Sequence, residues 1–107
     1  YLYVGALMSE LGEKRELFTR NLYLLLGKMY EKGYRPRFDI EHCKHMKNSL
    51  HYIGLAKDIL LFDSNNIYLS KTEDHKEFGE YWESLGGTWG GRFSDGNHYS
   101  IAYGGYK

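Results

Sequence analysis

Two side chains that can bind a metal, His51 and Asp58, lie seven residues apart in a stretch that also contains Gly54. The residues after Gly54 are rich in Leu and Ile, which favour a β-strand. In a strand, an odd spacing sends two side chains to opposite faces of the sheet. His51 and Asp58 can therefore meet only if His51 lies in a loop before the strand and Gly54 allows a sharp bend.

A second histidine, His98, follows in the sequence Asp95-Gly96-Asn97-His98. Two imidazoles and one carboxylate are enough for an open catalytic zinc site, with the fourth position left to water. Asp95 lies three residues before His98 across a turn that contains glycine, so both side chains can face one pocket with different roles. By default, an aspartate in such a turn binds nearby backbone N–H groups. From the residues alone, a turn former and a functional carboxylate are both possible at position 95.

The remaining pattern predicts an α+β fold with a small antiparallel sheet and flanking helices. Apolar residues recur at three- and four-residue spacing from Ser9 to about Lys32, which predicts one long helix with Gly33 as its C-cap. A half-buried strand is predicted over 34–42, where Phe38 and Ile40 lie between charged residues, and a loop over 41–48 follows it. A hairpin is predicted over 55–69, and a helix over 71–85 begins with a Ser70-x-x-Glu73 capping box. The last elements are two short strands over 89–93 and 98–103. At 107 residues, we expect a single domain over 1–107.

Composition argues against several classes of partner. The 14 basic and 14 acidic residues balance to a formal net charge of zero, and no basic cluster is present to follow phosphates. The longest apolar run, Leu22–Leu26, is far below the roughly 20 residues of a membrane span. The single Cys43 cannot form an internal disulfide. We therefore expect no nucleic-acid partner, no membrane association and a monomer.

The paired motifs resemble those of a known family. Ser-x-His-x-x-Gly-x-Ala-x-Asp over 49–58, followed by Asp-x-x-His over 95–98, resembles the zinc peptidases that cut peptidoglycan peptides, the group named for lysostaphin, D-Ala-D-Ala carboxypeptidase and sonic hedgehog. The stretches 79–85 and 89–93 resemble in particular the small phage endolysins of the D-Ala-D-Ala carboxypeptidase branch, which cut the L-alanyl-D-glutamate bond. The resemblance covers residues 49–103 well and the first helix loosely, and it implies a hedgehog/DD-peptidase-like fold.

The resemblance also implies a role for each motif residue. His51, Asp58 and His98 would bind one catalytic Zn²⁺, which would acidify a bound water and polarise the scissile carbonyl. Asp95 would take the proton of that water and later pass it to the leaving amine. Many relatives have Glu at this position, so the shorter Asp95 implies that its loop runs closer to the metal.

The substrate-binding residues follow less directly from the resemblance. Relatives use an upstream basic residue, usually Arg, near the substrate, but residues 42–45 contain no Arg. Lys44 or His42 would fill this role, and Arg37 is a poorer candidate. Trp89 either packs in the core or forms a wall of the substrate groove.

The resemblance thus implies a zinc-dependent peptidase that cuts peptidoglycan peptides, as an L-alanyl-D-glutamate endopeptidase of a phage endolysin. Because no signal peptide is visible, we expect such an enzyme to remain in the host cytoplasm until lysis and then to act at the cell wall. A D-alanyl-D-alanine carboxypeptidase is the nearest alternative. A non-catalytic, zinc-stabilised binding module and a metal-free α+β domain are alternatives from other classes.

Overall fold

The computed structural model of the protein describes residues 2–40 and 49–106. Within these residues, two α-helices and a small antiparallel sheet of five strands confirm the predicted α+β class. The helices are α1 (Leu2–Glu31) and α2 (Lys76–Ser84). The strands are β1 (Arg35–Phe38), β2 (Ala56–Phe62), β3 (Tyr68–Leu69), β4 (Thr88–Trp89) and β5 (His98–Ser100).

The strand β2 is the centre of the sheet. One of its edges pairs with β1, and the other edge is shared by β5, which pairs with residues 56–58, and β3, which pairs with residues 61–62. Between β5 and β3, the N–H of Ile59 donates to the carbonyl of Asn97 at 2.8 Å. The loop that precedes β5 therefore fills the gap between these two strands. The predicted hairpin, with Asp58 on its first strand, is confirmed.

The helix α1 is longer than predicted, since it begins at Leu2 rather than Ser9. It ends at Glu31, and Gly33 closes it as the predicted C-cap. Gly33 has a positive φ of 88°, its N–H donates to Tyr30, and the N–H of Tyr34 donates to Met29, each at 3.0 Å. This pattern closes a helix with a left-handed residue that glycine adopts without strain. Among the described helices, none combines the length and the apolar composition that a membrane span requires.

Both helices pack on one face of the sheet. The indole of Trp82 in α2 lies between Phe18 of α1, at a ring distance of 5.6 Å, and Tyr99 of β5, at 5.8 Å. Alternation along β2 directs Ile59 and Leu61 to this core, and it directs Asp58 to the opposite face. The apolar core comprises Phe18, Leu25, Met29, Leu50, Leu55, Ala56, Ile59, Leu61, Phe78, Trp82, Trp89, Tyr99 and Ile101.

Two predictions about the first strand and the second helix were wrong. Phe38 and Ile40 are 48% and 77% exposed, because β1 is an edge strand that ends at Phe38, and Ile40 lies beyond its end. The predicted capping box at Ser70 lies one residue later: the N–H of Lys71 donates to Asp74 Oδ2 at 3.0 Å. The first turn, over 72–75, is a 3₁₀ helix, and α2 follows it.

The strand predicted over 89–93 was also wrong beyond its first residue. The strand β4 ends at Trp89, and a 3₁₀ helix, Gly90–Phe93, follows it. A Cβ at Gly91 would lie 2.1 Å from the indole of Trp89, so the chain turns tightly around that ring. The other predicted strand is present but shorter, as β5. The loop predicted over 41–48 lies outside the described residues.

Buried His75 gives the fold a predicted pH dependence. Its Nδ1 lies 2.8 Å from the Tyr99 hydroxyl, and burial lowers the pKa of His75 to about 4 despite the opposing charge of Asp74. In the unfolded chain, the imidazole of His75 binds a proton more readily, with a pKa of about 6.5. This contribution to the free energy of unfolding is therefore complete above about pH 6.5, and up to about 3 kcal/mol is lost as pH falls towards 4.

Urea unfolding of the metal-free protein between pH 7.5 and 4.5 measures this loss. His75→Gln has no titrating group at the site, so its free energy of unfolding should fall less steeply over the same range than that of the unaltered protein. Equal slopes for the two proteins would show that His75 does not carry the effect.

Candidate metal centre

His51 lies in a short 3₁₀ helix, Leu50–Ile53, directly before β2. The hydroxyl of Ser49 accepts the N–H of His51 at 3.2 Å and caps the start of this helix. Gly54 ends it in the left-handed region, with φ 76°, and its N–H donates to the carbonyl of His51. The predicted loop and the predicted bend at Gly54 are both confirmed. The turn directs the imidazole of His51 back towards β2.

Asp58 and His98 face each other across the antiparallel pair of β2 and β5. Their side chains therefore lie on the same face of the sheet, opposite the core. The neighbouring pair, Lys57 and Tyr99, points to the other face. There the Lys57 ammonium lies 4.9 Å from the ring centre of Phe38, which confirms that Lys57 points away from the site.

The three predicted metal ligands meet at one point. One ligand atom from each of His51, Asp58 and His98 can be chosen so that all lie within 4.8 Å of one another. Asp58 Oδ1 lies 3.5 Å from His51 Nε2 and 3.1 Å from His98 Nδ1. Zinc–nitrogen bonds of 2.0–2.1 Å place tetrahedral ligand atoms about 3.3 Å apart. The donor types and spacing therefore fit a metal ion such as Zn²⁺, with a further position for water.

The electrostatics of the site also suit a cation. Partial burial raises the pKa of Asp58, but hydrogen bonds to His51 and His98 outweigh this effect and hold the pKa well below its usual range. Asp58 is therefore ionised at neutral pH. The side chain of His51 is only 5% exposed, that of His98 19% and that of Asp58 26%. The carboxylate is thus the most accessible of the three groups.

Asp95 lies on the loop that joins the 3₁₀ helix Gly90–Phe93 to β5, and it is exposed. It is not one of the three clustered donors. Asp95 instead lines a cavity of about 220 Å³. The cavity is lined by Tyr68, Leu69, Ser70, Lys71, Thr72, His75, Ser94, Asp95, Gly96 and Asn97. These residues come from two segments that share no motif, and nothing in the sequence indicated that they would form one cavity.

The predicted substrate-binding residues have different positions. Lys44 and His42 lie outside the described residues. Trp89 is 3% exposed, and its indole N–H donates to the carbonyl of Gly96 at 2.8 Å, so it supports the Asp95 loop from the core side. Arg37 binds the side chain of Asn66 and stacks on Phe62 at the edge of the sheet.

A family model described as D-alanyl-D-alanine carboxypeptidase matches residues 43–101, slightly more than half of the chain. The match includes the three clustered donors and the loop with Asp95. No curated protein sequence matches the chain.

Proposed function

Because the chain belongs to the D-alanyl-D-alanine carboxypeptidase family, we propose that it is a zinc-dependent peptidase that hydrolyses peptide bonds in bacterial peptidoglycan. One observation carries the proposal: His51, Asp58 and His98 bring two imidazoles and an ionised carboxylate within 4.8 Å of one another. Three such protein ligands with an open fourth position are typical of catalytic rather than structural zinc sites.

The residues of the site divide the work of hydrolysis. His51 Nε2, a carboxylate oxygen of Asp58 and His98 Nδ1 would hold the zinc ion. A bound Zn²⁺ lowers the pKa of a water molecule towards about 7 and polarises a carbonyl group. The Asp95 carboxylate takes a proton from the attacking water and returns it to the amine that leaves. Ser70, Lys71 and Asn97 line the same cavity as Asp95 and would offer polar groups to the peptide.

Within this function, we propose that the bond cut is L-alanyl-D-glutamate and that the protein is a phage endolysin, held in the host cytoplasm until lysis. The resemblance of residues 79–85 and 89–93 to endolysins supports this choice. The second candidate is a D-alanyl-D-alanine carboxypeptidase, which the description of the matching family supports.

Digestion of purified muropeptides, followed by mass spectrometry, tests both levels of the proposal. The zinc-loaded protein should cut the stem peptide between L-alanine and D-glutamate, so that one product ends in L-alanine and the other begins with D-glutamate. Treatment with a chelator should abolish cleavage, and added zinc should restore it. Release of terminal D-alanine alone would establish the carboxypeptidase instead. Binding of muropeptides without cleavage would favour the non-catalytic module, and an activity that survives complete removal of metal would overturn the zinc-dependent function.

A further inference from the structure

The turn that carries His51 is held from outside by the long helix α1. Arg15 of α1 donates from Nε to the carbonyl of Ile53, the last residue of the 3₁₀ helix Leu50–Ile53, at 2.8 Å. Carbonyls at the end of a helix have no partner within it, so this bond satisfies a group that would otherwise depend on water. Ser49 caps the start of the same turn. The turn with His51 is therefore fastened at both ends, one of them by a helix distant in sequence.

Arg15 also packs on the bend. A Cβ at Gly54 would lie 3.3 Å from Arg15 Nε and 3.6 Å from its Cγ. Glycine at position 54 thus combines a positive φ of 76° with close contact to the Arg15 side chain. The guanidinium and its aliphatic stem lie against the bend that returns His51 to Asp58.

We propose that Arg15 is a positioning residue for the metal site, acting through the backbone of residues 51–54. A metal site tolerates errors of only about 0.2 Å in its ligand distances. Because Arg15 fixes the end of the turn, it limits the positions that the His51 imidazole can take before the metal arrives. Arg15 lies outside the matched residues 43–101. The helix α1 thereby supports the metal site as well as the core.

This inference rests on the proposed zinc site, so its test has one measurement that needs no metal. In the metal-free protein, the N–H groups of Gly54 and Leu55 donate to His51 and Leu50 within the turn. Arg15→Met keeps an aliphatic stem but removes the donor. We expect it to speed hydrogen exchange at Gly54 and Leu55 about threefold to tenfold, the usual effect of losing one solvent-exposed hydrogen bond to a backbone carbonyl.

The second measurement is zinc affinity, by competition with a chromophoric chelator. We expect Arg15→Met to raise the zinc dissociation constant about threefold to tenfold and to alter the visible spectrum of the cobalt-substituted protein. Arg15→Lys, which keeps the charge, should recover part of the affinity. Gly54→Ala perturbs the same contact from the other side and should weaken zinc binding as well. Arg20→Ala is the matched control, because Arg20 lies on the same helix and pairs with Glu16 at 3.1 Å.

Each outcome separates the two proposals. Equal exchange rates and equal zinc affinity in Arg15→Met and Arg20→Ala would overturn the positioning role and leave the zinc peptidase intact. Faster exchange in Arg15→Met, in a protein whose unaltered form binds no zinc, would overturn the proposed function and, with it, any role for Arg15 at a metal centre.

Discussion

Asp58→Asn is expected to weaken zinc binding more than about 100-fold, beyond the usual cost of losing a residue that only supports a metal ligand. Asp58 provides the one negative charge among the three donors and lies within 3.5 Å of a nitrogen of each imidazole. A neutral amide of the same shape keeps the packing but loses this charge. Zinc competition measures the affinity, and muropeptide hydrolysis should fall with zinc occupancy.

Asp39→Asn is the matched control for this variant. Asp39 lies directly after β1, beside Asp58 of β2, and the N–H of Asp39 donates to the Asp58 carbonyl at 2.9 Å. Its own carboxylate accepts the N–H of Ile40 and is not among the clustered donors. The control should bind zinc as the unaltered protein does. If Asp58→Asn bound zinc as tightly as Asp39→Asn, Asp58 could not be a ligand.

Asp95→Asn is expected to lower the rate of peptide hydrolysis about 10²- to 10⁴-fold, the usual contribution of a general base. Asparagine suits the turn, so the loop should keep its backbone hydrogen bonds. Because Asp95 is not one of the three donors, zinc affinity should stay within about twofold of the unaltered value. Single-turnover hydrolysis at saturating zinc, together with metal analysis, separates the two effects.

Glu73→Gln removes an exposed carboxylate from the neighbouring 3₁₀ helix and is the control for Asp95→Asn. Its rate of hydrolysis should be unchanged. Two results would argue against a general base at position 95: full activity in Asp95→Asn, or a loss of activity that simply follows a loss of zinc.

The three proposed metal ligands and the bend between His51 and Asp58 could be predicted from the sequence. An odd spacing between His51 and Asp58 requires a bend, and only Gly54 lies where a left-handed residue can supply it. The antiparallel partner of Asp58 is His98, which places the third donor on the same face. The bend follows from side-chain alternation. The pairing of β2 with β5 is a long-range contact, and the family resemblance, not alternation, indicated His98 as the third donor.

Other features depend on tertiary contacts that no local pattern reports. The sequence pattern predicted a cap at Ser70 with Glu73, but the N–H of Lys71 donates to Asp74 instead. Close packing of the Asp95 loop accompanies this shift, since a Cβ at Gly96 would lie only 2.6 Å from Thr72 Cα. The contact of Arg15 with the turn is equally invisible in sequence, because it joins residues 38 positions apart.

Hydrogen bonds with neighbouring segments hold the backbone of the loop that carries Asp95. The carbonyl of Asn97 accepts from Ile59 in the gap of the sheet, and the carbonyl of Gly96 accepts from the Trp89 indole, each at 2.8 Å. The N–H of Asp95 donates to Gly90 at 2.9 Å. A general base at Asp95 would have its backbone held in place before substrate arrives, so no closing motion of this loop would need to precede the chemical step. Turnover of the proposed peptidase would then not be limited by closure of this loop.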